Sequence, residues 1–402
     1  MKKKILLIIP ICLCLIAVLF LIYNYINYDP YETPKDITIN LNENKFNVYE
    51  KHTSSELVKD INADIISKDI TLENEKLGTY KYTLEYSYKK RKYKYDINYQ
   101  IVDTTKPVFI SAPANLTMEV SDQKDICNKI VYADNYDSIL SCDITGTYDK
   151  TKIGTYKDLE YIITDSSNNI TKKTFTLNIV DKIPKSSKYT TPKYLYIDDI
   201  KKYKNDSTSI GIDVSIWQGN VDFKKVKDAG IEFVIMRIGS QRSPSEEITM
   251  DARFKEYYKA CKEVGLNVGV YIYNTSISKE DGIKTAKWVI KELNGDKLDL
   301  PIAYDFEDWS EFMDFKISLH TLSSAYKAFE KELNDNGYDA MLYSSKFYLE
   351  NVWMDYENSK VWLAHYTDKT DYEGNYMMWQ MTSSAKIAGI TDNTVDIDIL
   401  YK

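Results

Sequence analysis

In the octapeptide PIAYDFED at 301–308, Asp305 and Glu307 interrupt a run otherwise built from Ile302, Ala303, Tyr304 and Phe306. A charge left unpaired in a buried strand is costly, so carboxylates in such a run point to chemistry rather than packing. Residues i and i+2 of a strand face the same side, about 6.6 Å apart along the backbone, so Asp305 and Glu307 share a face. The same residue types recur in two other apolar runs: Asp213 in SIGIDVS, and Asp396 and Asp398, again two apart, in VDIDIL. Acids crowded into one poorly hydrated pocket push their pKa values apart, so that one stays protonated while its neighbour stays ionised. Cleavage of a glycosidic bond needs such a pair, an acid for the leaving oxygen and a carboxylate facing the developing positive charge. Trp217, Tyr271, Tyr273, Tyr343, Trp362, Tyr366 and Trp379 lie at or near the ends of apolar runs and are candidates, with Asp398, for a groove that holds sugar rings. Packing inside the fold is the equal alternative for each aromatic taken singly.

Two rival chemistries find less support. The three histidines, His52, His320 and His365, are scattered, no H-x-x-x-H or C-x-x-C spacing occurs, and a lone D-x-E pair is a weak ion site. Neither a metal nor another cofactor is expected. No G-x-S-x-G elbow is present, and Cys261 sits in a helical pattern.

The acids need a scaffold that brings them together. Between 210 and 402, the apolar runs SIGIDVS, IEFVIMRI, NVGVYIY, PIAYDFE and DAMLYSS alternate with amphipathic stretches of helical spacing. That alternation predicts a parallel sheet with crossover helices. After residue 344 the runs VWLAHY, YMMWQM and VDIDIL follow too closely for a full helix between each pair. The reading is an α/β, TIM-like (β/α) barrel with reduced helices in its last third. Barrel active sites lie at the C-terminal ends of the strands, where Asp305, Glu307 and Asp213 fall.

Upstream, NEKLGTYKYTLEYSY at 74–88 is echoed by KTKIGTYKDLEYIIT at 150–164, and QIVDTTKP at 100–107 by NIVDKIP at 178–184. Short alternating runs between turn clusters predict two small all-β sandwiches, 36–104 and 105–182, acting as a spacer, with wall or partner binding as the alternative. A Lys-, Ser- and Thr-rich linker, 183–209, joins them to the barrel. Cys127 and Cys142 are candidates for a disulfide, with two small buried thiols as the equal alternative. At the N-terminus, residues 1–28 place Lys2, Lys3 and Lys4 before an uncharged run from Ile5 to Tyr23. About 20 such residues span a bilayer, no A-x-A-like cleavage site follows, and the lysines stay inside. The expectation is a single-pass transmembrane helix in the cytoplasmic membrane with the C-terminal domains extracytoplasmic. Net charge is −8, from 52 basic and 60 acidic residues. No basic stripe with interleaved aromatics runs through the chain, so nucleic acid is excluded as a partner.

The motifs GIDVSIWQGNVDF (211–223), FVIMRIG (233–239), VGVYIY (268–273), PIAYDFED, LYSS (342–345), VWLAHY (361–366) and WQMTSSAKIAGITDNTVDID (379–398) resemble, in order, glycoside hydrolase family 25, the Chalaropsis-type lysozymes. The resemblance covers 210–402. It implies hydrolysis of the β-1,4 bond between N-acetylmuramic acid and N-acetylglucosamine, with peptidoglycan glycan strands as partner. It also implies Glu307 as general acid, Asp305 as its partner carboxylate, and Asp213 and Asp396 as further acids of the site. The family's final motif usually reads VDxN, whereas here Asp398 takes the fourth place. Two routes stay open: attack by the substrate's own 2-acetamido group with Asp305 stabilising the charged ring, or inversion by water. Residues 105–182, with DTTKP, ADNYDSI and a closing IVD, resemble bacterial immunoglobulin-like surface repeats, and 36–104 looks like a degenerate relative.

Overall fold

The structure, a computed structural model, describes residues 16–20, 22–23, 28–184 and 194–402. They belong to two compact units, one ending at Thr104 and the other running Thr105–Lys402.

In the first unit the alternating pattern of GTYKYTLEYSY produces a long hairpin, Gly78–Tyr88 against Arg91–Val102. Lys89 and Lys90 turn it with φ of 47° and 62°, the left-handed pair whose twist suits a two-residue hairpin. Tyr82, Leu84 and Tyr86 bury one face together with Ile97, Tyr99 and Ile101. The second unit contains a similar hairpin, Gly154–Thr164 against Ile170–Val180, flanked by Asn115–Glu119 and Ser141–Thr145. Its own core is built from Met118, Leu159, Tyr161, Phe175 and Leu177, and Cys127 and Cys142 are joined by a disulfide.

Seven apolar runs of 208–402 form parallel neighbours: β1 (Thr208–Val214), β2 (Phe233–Ser240), β3 (Asn267–Tyr273), β4 (Ile302–Asp305), β5 (Ala340–Ser345), β6 (Lys360–Ala364) and β7 (Met378–Lys386). An eighth strand, β8 (Val395–Tyr401), pairs antiparallel with both β1 and β7 and closes the barrel. Helices α1 (Phe223–Asp228), α2 (Phe254–Val264), α3 (Lys279–Leu293), α4 (Phe312–Phe315), α5 (Leu319–Asp335) and α6 (Lys346–Asn351) follow β1 to β5. No helix follows β6 or β7 among the described residues.

Strand alternation sorts the side chains into two layers. Ile212, Val234, Val270, Ile302, Tyr304 and Leu342 face outward into the layer shared with the helices. Phe233, Ile235, Ala303, Met341, Trp362 and Met378 fill the lumen. Gly211 belongs to the lumen face of β1, where a Cβ would meet the Phe233 ring at 2.2 Å, so a glycine is what lets that ring fill the bottom. Outside, a Cβ on Gly282 of α3 would meet the Ala325 carbonyl of α5 at 2.1 Å, and its lack lets the two helices pack closely.

Two expectations need correction. The barrel is not an all-parallel (β/α) barrel with thinned helices, because its closing strand runs the other way. The physical reason lies in VDIDIL, whose acids stand at the start of the strand. A parallel strand would carry them to the far end from Asp213, whereas the antiparallel one pairs Asp213 with Asp396 and Gly211 with Asp398. The expected transmembrane helix is the second correction. Among the described residues no helix is long and apolar enough to cross a membrane. Of the expected span Ile5 to Tyr23, only 16–20 and 22–23 are among the described residues. Residues 1–15, 21 and 24–27 lie outside the described residues. The localisation that depended on that helix, a cytoplasmic-membrane protein with extracytoplasmic domains, falls with it.

Candidate active site

The mouth of the barrel is where the strand ends gather the acids. Asp213 ends the lumen face of β1, and Asp305 ends that of β4 opposite Tyr273 and Tyr343 in register. Asp396 and Asp398 enter from β8. Glu307 follows two residues after the end of β4, reaching water in the cleft while standing among enough protein atoms to be desolvated. Asp213, Asp305 and Asp396 are therefore delivered by strand ends and Asp398 by the middle of β8, all where backbone pairing fixes their direction.

Burial acts on all five in the same sense. It raises the pKa of Asp213 well above the usual carboxylate range, with Asp396 and Asp398 adding repulsion. Asp305 is raised by burial and then by Glu307, against the opposing pull of Arg237. Glu307 is raised by burial and by Asp308. Asp396 is pushed up to about 7 by burial and by Glu307. Asp398, 0% exposed, is raised by burial and by Asp396, while the Trp362 indole donates to its Oδ1 at 2.8 Å. Oδ1 of Asp305 and Oδ2 of Asp398 have no hydrogen-bond partner among the described residues. Such a pocket holds protons at neutral pH on some carboxyls while leaving others ionised, the division of labour that acid-catalysed bond cleavage needs.

Three supporting residues escape the sequence reading. Gln380 of β7 donates from Nε2 to Asp213 Oδ2 at 2.8 Å, and its Oε1 accepts from the hydroxyls of Tyr343 and Tyr366, both at 2.9 Å. One amide thus orients an acid and two ring hydroxyls. Arg237 of β2 brings a cation to the lumen that no run containing the acids supplies. It is held by Asp251 through Nε at 2.8 Å and Nη2 at 2.7 Å. Asp251 also accepts from the Ile216 amide at 3.1 Å, which ties the loop bearing Trp217 to β2. The signal was present: a lone cation in FVIMRIG and a lone amide in MWQMT break apolar runs just as Asp305 does.

The aromatic candidates separate. Trp217, 65% exposed on the turn after β1, and Tyr366, 58% exposed after β6, stand at the rim. Tyr343 forms part of the cleft wall, and Tyr273 donates to Asp308 Oδ1 at 2.9 Å. Tyr271 and Trp362 meet edge to face one layer down in the lumen, 6.2 Å between ring centres. Trp379 is turned away from the lumen: its indole donates to the His365 carbonyl at 2.8 Å and its ring meets Tyr203 in the outer layer. Beside Glu307 a cleft of about 640 Å³ runs past Trp309, Tyr348 and Phe347 to Tyr366.

A closed barrel with an acid-lined mouth beside an aromatic cleft has the geometry that glycosidic-bond cleavage requires. Residues 212–390 match the family model described as glycosyl hydrolases family 25. The chain is similar to the autolytic lysozyme of Clostridium acetobutylicum, 28% identical over 191 residues that make up 47% of this chain and 54% of that protein. It therefore spans about half the length of that curated relative. Among solved structures it is similar to the spore cortex lytic enzyme SleM of Clostridium perfringens, at 20% identity and a TM-score of 0.43 over 49% of this chain and 68% of that one. It is likewise similar to a family 25 glycosyl hydrolase of Bacillus anthracis, at 18% identity and a TM-score of 0.43 over 50% of this chain and 91% of that one.

Proposed function

We propose that the protein is an N-acetylmuramidase, cleaving the β-1,4 bond between N-acetylmuramic acid and N-acetylglucosamine in peptidoglycan and serving local remodelling of the cell wall. The observation that carries this reading is the convergence of Asp213, Asp305, Glu307 and Asp396 at one barrel mouth, all with pKa values raised by burial. The family match and the autolytic lysozyme relative support the same substrate. In this reading Glu307 protonates the leaving oxygen, since it alone of the acids both reaches the open cleft and lies beyond the strand end. Asp305, deeper and adjacent, faces the charge that develops on the sugar ring. Trp217 and Tyr366 hold sugar rings at the rim, and the two β-rich stretches before the barrel are immunoglobulin-like repeats that carry it. The test is incubation of the full chain with purified cell walls. Release of soluble reducing sugar is expected; binding to walls with no release would make the protein a wall-binding adhesin instead.

A further inference from the structure

The β-rich stretch 108–180 does more than precede the barrel within their shared unit. Its Ile110 and Ala133 are buried in the barrel's outer core together with Phe312, Leu319 and Leu322, rather than in the core of their own module. In return Met313 of α4 packs against the module's core residues. Polar contacts follow the same seam. The amides of Leu319 and His320, in the first turn of α5, donate to the carbonyls of Asp134 and Asn135 at 2.8 and 3.2 Å. These are N–H groups that a helix cannot satisfy internally. Asp134 Oδ1 accepts from the amides of Tyr136 and Asp137 at 2.9 and 2.8 Å, which folds the loop into the shape that presents those carbonyls.

The barrel segment gripped in this way is the one that leaves β4. From Asp305 it runs through Glu307 and Trp309, both lining the cleft, to α4 and the start of α5. One side of the loop therefore faces the cleft and the other faces the module. The backbone bonds within the loop are short-range, among them Trp309 N to the Glu307 carbonyl at 2.8 Å and Glu311 N to the Asp308 carbonyl at 3.2 Å, α4 is a single turn, and from the barrel side Tyr273 of β3 holds Asp308. The loop's backbone is thus held by packing and contacts on both sides rather than by a regular element of its own.

We propose that the module 108–180 is a positioning element of the active site, holding the loop 306–318 from behind so that Glu307 keeps its place at the barrel mouth. This reaches beyond a spacer role and uses the muramidase reading only for its kinetic readout. The test takes the full chain with Ile110→Asp and Ala133→Asp together, substitutions outside the catalytic residues and outside the module's own core, with Ile110→Val as the conservative control. Hydrogen exchange should quicken at the Leu319 and His320 amides and also at Trp309 and Glu311, and kcat on cell walls should fall by roughly 10–100-fold with a much smaller change in KM, as misplacement of a catalytic group does. Ile110→Val should restore both. Should the double variant fail to fold, Asp134→Ala, which releases the loop shape, is measured in the same way. Faster exchange at Leu319 and His320 with unchanged exchange at Trp309 and Glu311 and unchanged kcat would overturn the proposal, as would unchanged exchange at all four amides. If the parent protein shows no turnover on walls, the muramidase reading fails, and exchange at Trp309 and Glu311 alone judges the positioning role.

Discussion

Within the mouth of the barrel each acid has a different neighbourhood, and substitutions separate their roles. Glu307→Gln keeps size and shape but removes the proton, so turnover should fall by about 10²–10⁴-fold with the fold intact, measured as reducing sugar released from walls. Asp305→Asn should cost heavily too, by leaving the positive transition state without its counter-charge. Asp398→Asn should be nearly silent, because Asp398 lies below the mouth and receives its hydrogen bond from Trp362 on an oxygen that an amide retains. Near-normal turnover in Glu307→Gln with loss in Asp398→Asn would reverse the assignment. A stability measurement tests the electrostatics separately. The folded pKa of Asp396, about 7, is above its ordinary value of 3.8, so the folded state binds the proton more tightly than the unfolded chain. Its contribution is therefore most favourable below about pH 4 and is lost as pH rises toward 7. Asp396→Asn should leave the thermal midpoint unchanged near pH 4 and raise it at pH 8; an unchanged difference across that range would contradict the burial argument. The acids were legible from residue type and i, i+2 spacing alone. Gln380 and Arg237 were not singled out, because a neutral amide and a single cation in apolar runs declare their role only when neighbouring strands bring them against the acids.

At the scale of elements, the direction of one strand decides whether the site exists. The alternation of VDIDIL puts Asp396 and Asp398 on one face, but face alone carries no information about direction, and in the sequence the short interval after β7 signals only a lost helix. The short interval in fact permits an antiparallel return, since parallel neighbours need a crossover of a dozen or more residues. Trp379 shows the limit of the same reasoning at one position. It follows Met378 and precedes Gln380, which both face inward, so alternation turns it outward to Tyr203. Elsewhere local chemistry was easier to anticipate than pairing: Cys127 and Cys142 could equally have been buried thiols until the strand Ser141–Thr145 and the turn Ile126–Lys129 brought them together. Their bond closes a loop with a sequence separation of 15, for which chain entropy gives about 3 kcal/mol. Replacing both by Ser should lower the stability of the module by that order in denaturant titration under oxidising conditions, and no change in midpoint would show that the bridge adds nothing to the packed hairpin.

For the molecule as a whole, a change of rhythm near residue 210 separated the barrel from what precedes it, and the repeat of GTYK marked the two long hairpins. What composition and period could not show is that the second β module shares a core with the barrel, because Ile110 and Ala133 are unremarkable apolar residues whose partners lie some 200 positions on, as Phe312 and Leu319 do. The apolar N-terminal run was equally persuasive as sequence, yet among the described residues no helix has the length that a membrane crossing requires. For the whole protein, cleavage of the muramic-acid bond is the central proposal, and one measurement addresses it directly. Purified peptidoglycan digested by the full chain is reduced with borohydride and its soluble fragments are identified by mass spectrometry. Reduced N-acetylmuramic acid at the new ends, absent after digestion with Glu307→Gln, is the predicted result; reduced N-acetylglucosamine at those ends, or no new reducing ends at all, would contradict the account.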